Sequence, residues 1–266
     1  MGYPMKRRQF LGMLLAVPLL SAPSWAAESE LAIGAAINKA GRQRMLSQRI
    51  AKAYTMRLLG VVPRQAEQLQ ARSRQLFEAQ LGELQQLAPT PAIKQGQLDL
   101  RQAWEGYRAL LDQEASVQQL PAVLAAADKT LLAAHALTGQ YEKMANSSAG
   151  QLVNISGRQR MLSQRLAKCY FVAQAGLNSS QFQTELATAH REFAKGLAVL
   201  NQTPENTPEI RQELALANMQ WLFFEQALNG SERERELAQR NVATTSERLL
   251  EVMDGLTARY EKLVRS

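Results

Sequence analysis

The sequence predicts an all-α fold: two tandem up-down four-helix bundles related by an internal duplication, in a pseudo-twofold arrangement. Three observations lead there. The nine residues Gly41-Arg-Gln-Arg-Met-Leu-Ser-Gln-Arg49 return unchanged as Gly157 to Arg165, 116 positions later, which marks a duplicated unit. The composition favours helix, being rich in Ala, Leu, Gln, Glu and Arg with few β-branched runs. Breaker residues recur regularly, at Gly60–Pro63, Ala88–Pro91, Ser116–Pro121, Asn146–Gly150, Leu177–Ser180, Thr203–Pro208 and Asn229–Ser231. These breaks leave four amphipathic helices per repeat, joined by loops short enough for an up-down bundle.

Residues 1–26 read as an export signal. Lys6-Arg7-Arg8 is a basic start, Leu11 to Leu20 a short apolar run interrupted by Pro18, and Ser24-Trp25-Ala26 offers the small residues a signal peptidase reads. The run is too short to span a bilayer. Arg7-Arg8-Gln9-Phe10-Leu11 resembles a twin-arginine signal; an ordinary secretory signal with two arginines is the alternative. Either implies export, to the periplasm of a bacterium. Without Lys6, Arg7 and Arg8 the net charge falls from +7 to +4, which is too mildly basic for a nucleic-acid binder. No later segment is expected to be apolar for long enough to cross a membrane.

Repeat 1 then covers 27–147, with helices at about 29–59, 64–87, 92–114 and 121–146 from the breaker positions. Repeat 2 covers 148–266, with helices at about 150–177, 181–202, 208–228 and 232–264 by the same rule. The duplication extends beyond the shared block. Phe77, Leu81 and Leu84 match Phe193, Leu197 and Leu200 at the same offset. Trp104 matches Trp221 after one inserted residue, and Tyr141-Glu142-Lys143 matches Tyr260-Glu261-Lys262 after two more. The tryptophans are expected to fill the bundle cores. At Asn146–Gly150 the chain could turn or continue as one helix.

The shared block carries the functional signal. Ile37, Gly41, Arg44, Gln48, Ala51 and Thr55 are spaced 4, 3, 4, 3, 4, the seam of a helix-helix contact. Val153, Gly157, Arg160, Gln164, Ala167 and Phe171 repeat it. Such seams are normally apolar, yet this one centres on arginine and glutamine. Leu46, Ile50 and Ala53 lie on another face, suited to the bundle's own core. The simplest partner for the seam is the equivalent helix of the other repeat. The glycines would let the two backbones approach, and Arg44 and Arg160 would meet near the pseudo-twofold axis. Two facing guanidiniums repel and are costly to desolvate. A small planar oxyanion between them removes that cost, because guanidinium donors match it in a fork geometry. Arg42, Arg49, Arg158 and Arg165 fall off the seam, as arginines on a solvated face would.

The segment Ile37-Asn38-Lys39-Ala40-Gly41-Arg-Gln-Arg-Met-Leu-Ser-Gln-Arg-Ile-Ala-Lys52 resembles the signature helix of the PilJ-type domain, named for the N-terminal region of type IV pilus methyl-accepting transducers. That domain is similar to the periplasmic sensor domain of NarX/NarQ-type nitrate/nitrite sensor kinases. There the matching helix carries an arginine that binds nitrate at a dimer axis. The Lys-Ala-Gly-x-x-Arg-Met core falls on Lys39, Ala40, Gly41, Arg44 and Met45, and in the second copy on Ile155, Ser156, Gly157, Arg160 and Met161. The resemblance implies Arg44 and Arg160 as an anion-binding pair, with Gly41, Gly157, Lys39, Gln48 and Gln164 around it. Lys39 becomes Ile155, so the halves are not equivalent. Such sensors also span the membrane and drive a kinase or methyl-accepting domain, and neither is expected from this sequence.

Other chemistry finds little support. His135 and His190 do not recur at equivalent places, no metal-ligand spacing or Glu-x-x-His pair is present, and neither a phosphate loop nor a nucleophile-base pair stands out. No catalytic residue, metal or cofactor is expected. Cys169 is the sole cysteine and reads as a small buried hydrophobe. The expected protein is a soluble periplasmic sensor or binding protein for a small oxyanion, nitrate or nitrite first. It would act as a monomer with an intramolecular pseudo-dimer and signal through a separate membrane signalling or transport partner. The competing reading is a structural or assembly protein of the periplasm that binds no ligand.

Overall fold

A computed structural model describes residues 25–177, 179–230 and 234–264. The expected export signal falls outside the described residues except for Trp25 and Ala26. Eight α-helices and no strand occur among the described residues: α1 Trp25–Leu58, α2 Pro63–Gln85, α3 Pro91–Leu111, α4 Leu120–Ala145, α5 Ser148–Gln174, α6 Ser180–Gln202, α7 Pro208–Leu228 and α8 Arg235–Leu263. Local chemistry sets their ends. Pro63, Pro91 and Pro208 sit in first turns, where a missing N–H costs nothing. The hydroxyls of Thr90, Ser147, Ser179 and Thr207 cap α3, α5, α6 and α7.

Helices α1–α4 form one bundle and α5–α8 a second. In the first, α1 packs on α2 and α4, and α3 on α4; in the second, α5 packs on α6 and α8, and α7 on α8. Each core is built around the same aromatic stack. Phe77 lies on Trp104 with ring centroids 4.1 Å apart, and Phe193 on Trp221 at 4.1 Å. Leu46, Ile50 and Ala53 are buried, as expected for the intrabundle face of α1.

The junction at Asn146–Gly150 turns. Asn146 adopts a left-handed conformation (φ 44°), which asparagine tolerates better than most residues. Ser147 is then extended, and its hydroxyl accepts from the Gly150 N–H at 3.1 Å. The turn reverses the chain after α4, so α5 runs parallel to α1 and packs along it. The pairing is in register. Arg44 donates to the Asn154 carbonyl at 3.4 Å, while Arg160 donates to the Asn38 carbonyl at 3.3 Å. These reciprocal bonds define a pseudo-twofold axis along the α1–α5 contact.

One expectation is corrected. α4 is long and apolar enough to cross a membrane by length and composition, with a mean hydropathy of 1.3 over its most apolar window. Its alanines and leucines supply that value. Within the fold they serve packing: Val123, Leu124, Ala127, Leu131, Ala134 and Leu137 are buried against the neighbouring helices. Cys169 is buried as expected, and burial pushes its thiol up to about 12.

Candidate functional site

The two copies of the repeated block meet each other. Every seam position, from Ile37 to Thr55 on α1 and from Val153 to Phe171 on α5, is buried. Arg44 and Arg160 have no exposed surface at all. Their guanidiniums lie over the paired glycines. A Cβ on Gly41 would stand 3.0 Å from Nη2 of Arg44 and 3.8 Å from Nη2 of Arg160; one on Gly157 would stand 3.2 Å and 3.5 Å from the same groups in reverse. The glycines therefore make room for two guanidiniums, in addition to allowing the close backbone approach that their spacing suggests.

The two arginines are compensated unequally. Arg160 donates to the Asp254 carboxylate on α8 and to the Asn38 side-chain oxygen at 2.7 Å. Among the described residues Arg44 has only long contacts: the Gly41 carbonyl at 3.5 Å, the Asn154 carbonyl at 3.4 Å and Nδ1 of His135 at 3.4 Å. None of these is an acid. Burial is the main reason that the pKa of Arg44 is pulled down, to about 9, with Arg158 and Arg160 adding repulsion and Glu142 opposing. Arg160 is pulled to about 10 by burial and Arg42, with Asp254 resisting. The depression measures how poorly each charge is repaid for leaving water. At Arg160 the Asp254 carboxylate offsets part of that cost, and Arg44 has no such partner among the described residues.

A second polar layer lies one to two turns further along. Gln48 donates to Asp128 at 3.1 Å, and Gln164 to the Ser246 carbonyl at 3.0 Å; the carbonyl oxygens of both glutamine side chains are buried without a hydrogen-bond partner among the described residues. Lys52 and Lys168 are fully buried and cross between bundles. Lys52 of α1 reaches Glu247 and Ser246 of α8, at 2.5 and 3.1 Å. Lys168 of α5 reaches Asp128 of α4 at 3.2 Å, and Glu185 of α6 at 3.0 Å. Burial lowers Lys52 despite Glu247. Burial also opposes the charge on Lys168, but there Asp128, Cys169 and Glu185 win and the pKa rises.

Of the expected site residues, Arg44, Arg160, Gly41 and Gly157 are brought together, and Gln48 and Gln164 lie in the next layer along the seam. Lys39 is not: its ammonium pairs with Glu83 on α2 at 2.7 Å, on the flank of the first bundle. It stands on the seam helix but points to its own bundle, which is also why Ile155 replaces it without disturbing the contact. Arg42 and Arg158 are less detached than a solvated face implies. Arg42 shares Asp254 with Arg160, and Arg158 pairs with Glu192 on α6 at 2.8 Å. The Asp254 side opens on a groove of about 590 Å³ between α1, α2 and α8, with Arg42, Arg49, Glu247 and Asp254 on its wall.

Asn38, Lys52, His135 and Asp254 escape a reading that stops at the seam. Asn38/Asn154 and Lys52/Lys168 recur at the block's own offset. His135 and Asp254 are 119 positions apart, the offset of the Tyr141/Tyr260 match, so both stand at the same place on α4 and α8. That alignment was the available signal.

The PilJ family model, described as the N-terminal region of type IV pili methyl-accepting chemotaxis transducers, matches residues 25–130 and again 144–252. No curated protein and no solved structure matches the chain. Both matched segments include a seam helix and its arginine, and together they span most of the sequence. The chain belongs to the PilJ family, with two tandem copies of its transducer N-terminal domain.

Proposed function

We propose that this protein is a periplasmic sensor or binding protein for a small oxyanion, nitrate or nitrite before others, which signals through a separate membrane partner. Family membership supports a sensory role. One observation carries the ligand class: Arg44 is fully buried, faces a second buried arginine, and has no acid among its hydrogen-bond partners. A fold that needed α1 and α5 only as a seam would be better served by leucine at that position, since apolar replacements of buried charges are often neutral or stabilising. An anion that neutralises the pair gives the arginines a purpose. The likeness to nitrate/nitrite sensors favours a planar anion, and the intramolecular pairing of α1 with α5 supplies what those sensors obtain by dimerising.

Isothermal titration calorimetry tests the proposal. Nitrate, nitrite and chloride are compared at equal ionic strength, so that screening is not mistaken for binding. Nitrate or nitrite is expected to bind the wild type, and Arg44→Ala is expected to lose at least tenfold in affinity. No binding by the wild type, or equal binding by Arg44→Ala, would leave the ligand-free structural role as the better account.

A further inference from the structure

The departures from pseudo-symmetry around the arginines suggest where an anion sits. In the half containing Arg160, the Asp254 carboxylate on α8 bridges Arg160 and Arg42. The equivalent position on α4 is His135, a residue that cannot supply a negative charge. The equivalents of the two arginines are Arg44 and Arg158. Arg158 turns instead to Glu192 of α6, while the matching residue of α2 is Leu76. Arg44 is left with the ring nitrogen of His135 and two carbonyls. Nearby, the Asn154 side chain donates to Glu142, and its oxygen is buried without a partner among the described residues. His135 is exposed, so the charge-deficient side lies beneath a surface residue, while Arg44 itself has no exposed surface.

We infer that the oxyanion binds off the axis, between Arg44 and Arg158 beside His135, where it takes the place that the Asp254 carboxylate holds in the other half. This rests on reading the arginines as an anion site, and it names the position, the stoichiometry and the ligand charge. Asp254 serves as a built-in template: one oxygen of its singly charged carboxylate accepts from both guanidiniums at once. A singly charged oxyanion, with nitrate as the probe, takes the equivalent place. A dianion would meet more repulsion from Glu142, whose charge acts on Arg44, and from Glu192, which pairs with Arg158. Only one half is vacant of a resident carboxylate, so the chain takes one anion.

Two exchanges test this by calorimetry with sodium nitrate. His135→Asp places a carboxylate beside Arg44 and restores the symmetric arrangement. It is expected to lower nitrate affinity at least tenfold and to raise the melting temperature in nitrate-free buffer. His135 is at the surface, so the fold should tolerate the change. Asp254→Asn keeps the shape but removes the template's charge, and is expected to raise the stoichiometry from one nitrate to two. If His135→Asp binds nitrate like the wild type, or if Asp254→Asn still takes one, the off-axis site is overturned. Loss of binding in Arg44→Ala alongside either result would then place the anion on the axis and leave the proposed function standing. A wild type that binds no nitrate would end both.

Discussion

Arg44 shows how one side chain reports a purpose beyond packing. It has no exposed surface, yet its hydrogen bonds go to an imidazole and two carbonyls at 3.4–3.5 Å. A charge held in this way lowers stability in the absence of an anion. Arg44→Met, which fills similar space without charge, is therefore expected to raise unfolding stability by about 1 kcal/mol or more in anion-free buffer and to abolish stabilisation by nitrate. Chemical denaturation with and without nitrate measures both. Arg160→Met should behave differently. It removes a partnered charge and strips Asp254 of one of its two arginines, so a gain in stability is not expected there. The spacing of the sequence put the two arginines at equivalent positions. It could not say that one has an acid and the other a histidine, because that depends on which residues of α4 and α8 lie opposite.

At the scale of helices, the contact between α1 and α5 is held by charge pairs that reach across to α8 and α4. Lys52 and Arg49 of the first bundle close on Glu247 of the second. Burial works against the Glu247 carboxylate, but Lys52 and Arg49 overcome it and hold its pKa at about 2, below the ordinary 4.5. A depressed carboxyl contributes stability that is fully present above its unfolded value and is lost as pH falls through the folded value. The interface is therefore expected to weaken between about pH 4.5 and pH 2. Because Lys52 is itself lowered by burial, the pair contributes less than the carboxylate shift alone suggests. Glu247→Gln leaves Lys52 buried without its acid and is expected to cost about 3 kcal/mol, with the Glu247 share of the acid dependence gone and that of Asp254 and Glu185, whose carboxyls are also lowered, remaining. Thermal unfolding from pH 7 down to pH 3 distinguishes the two proteins. The lysines were visible in the sequence at equivalent positions of the two seam helices, but a lysine on a helix usually reads as solvated. Only the packing of a second bundle shows that they are buried.

The whole molecule is a dimer-like arrangement within one chain. With α1 and α5 already paired, the seam that would otherwise seek a second copy is covered, and the protein is expected to run as a monomer in sedimentation at micromolar concentration. An obligate homodimer would mean that another surface had taken over that role. What the sequence determined by itself is the architecture. Breaker residues fixed eight helices to within a few residues, because prolines, glycines and capping hydroxyls act locally. The repeated block fixed the duplication and the seam, because a 4-3 spacing places those side chains on one stripe whatever surrounds them. What only the tertiary structure decided is the direction of the second bundle and the balance of charge at its centre. The turn depends on Asn146 and Ser147 adopting one of two locally acceptable paths, and that turn makes α5 parallel to α1 and sets Gly41 and Gly157 beside both guanidiniums. Lys39 turning to Glu83, Asp254 bridging Arg42 and Arg160, and His135 standing at the matching place all follow from contacts between helices far apart in the chain. Coulombic and desolvation energies depend on those through-space distances, which spacing along one helix cannot supply.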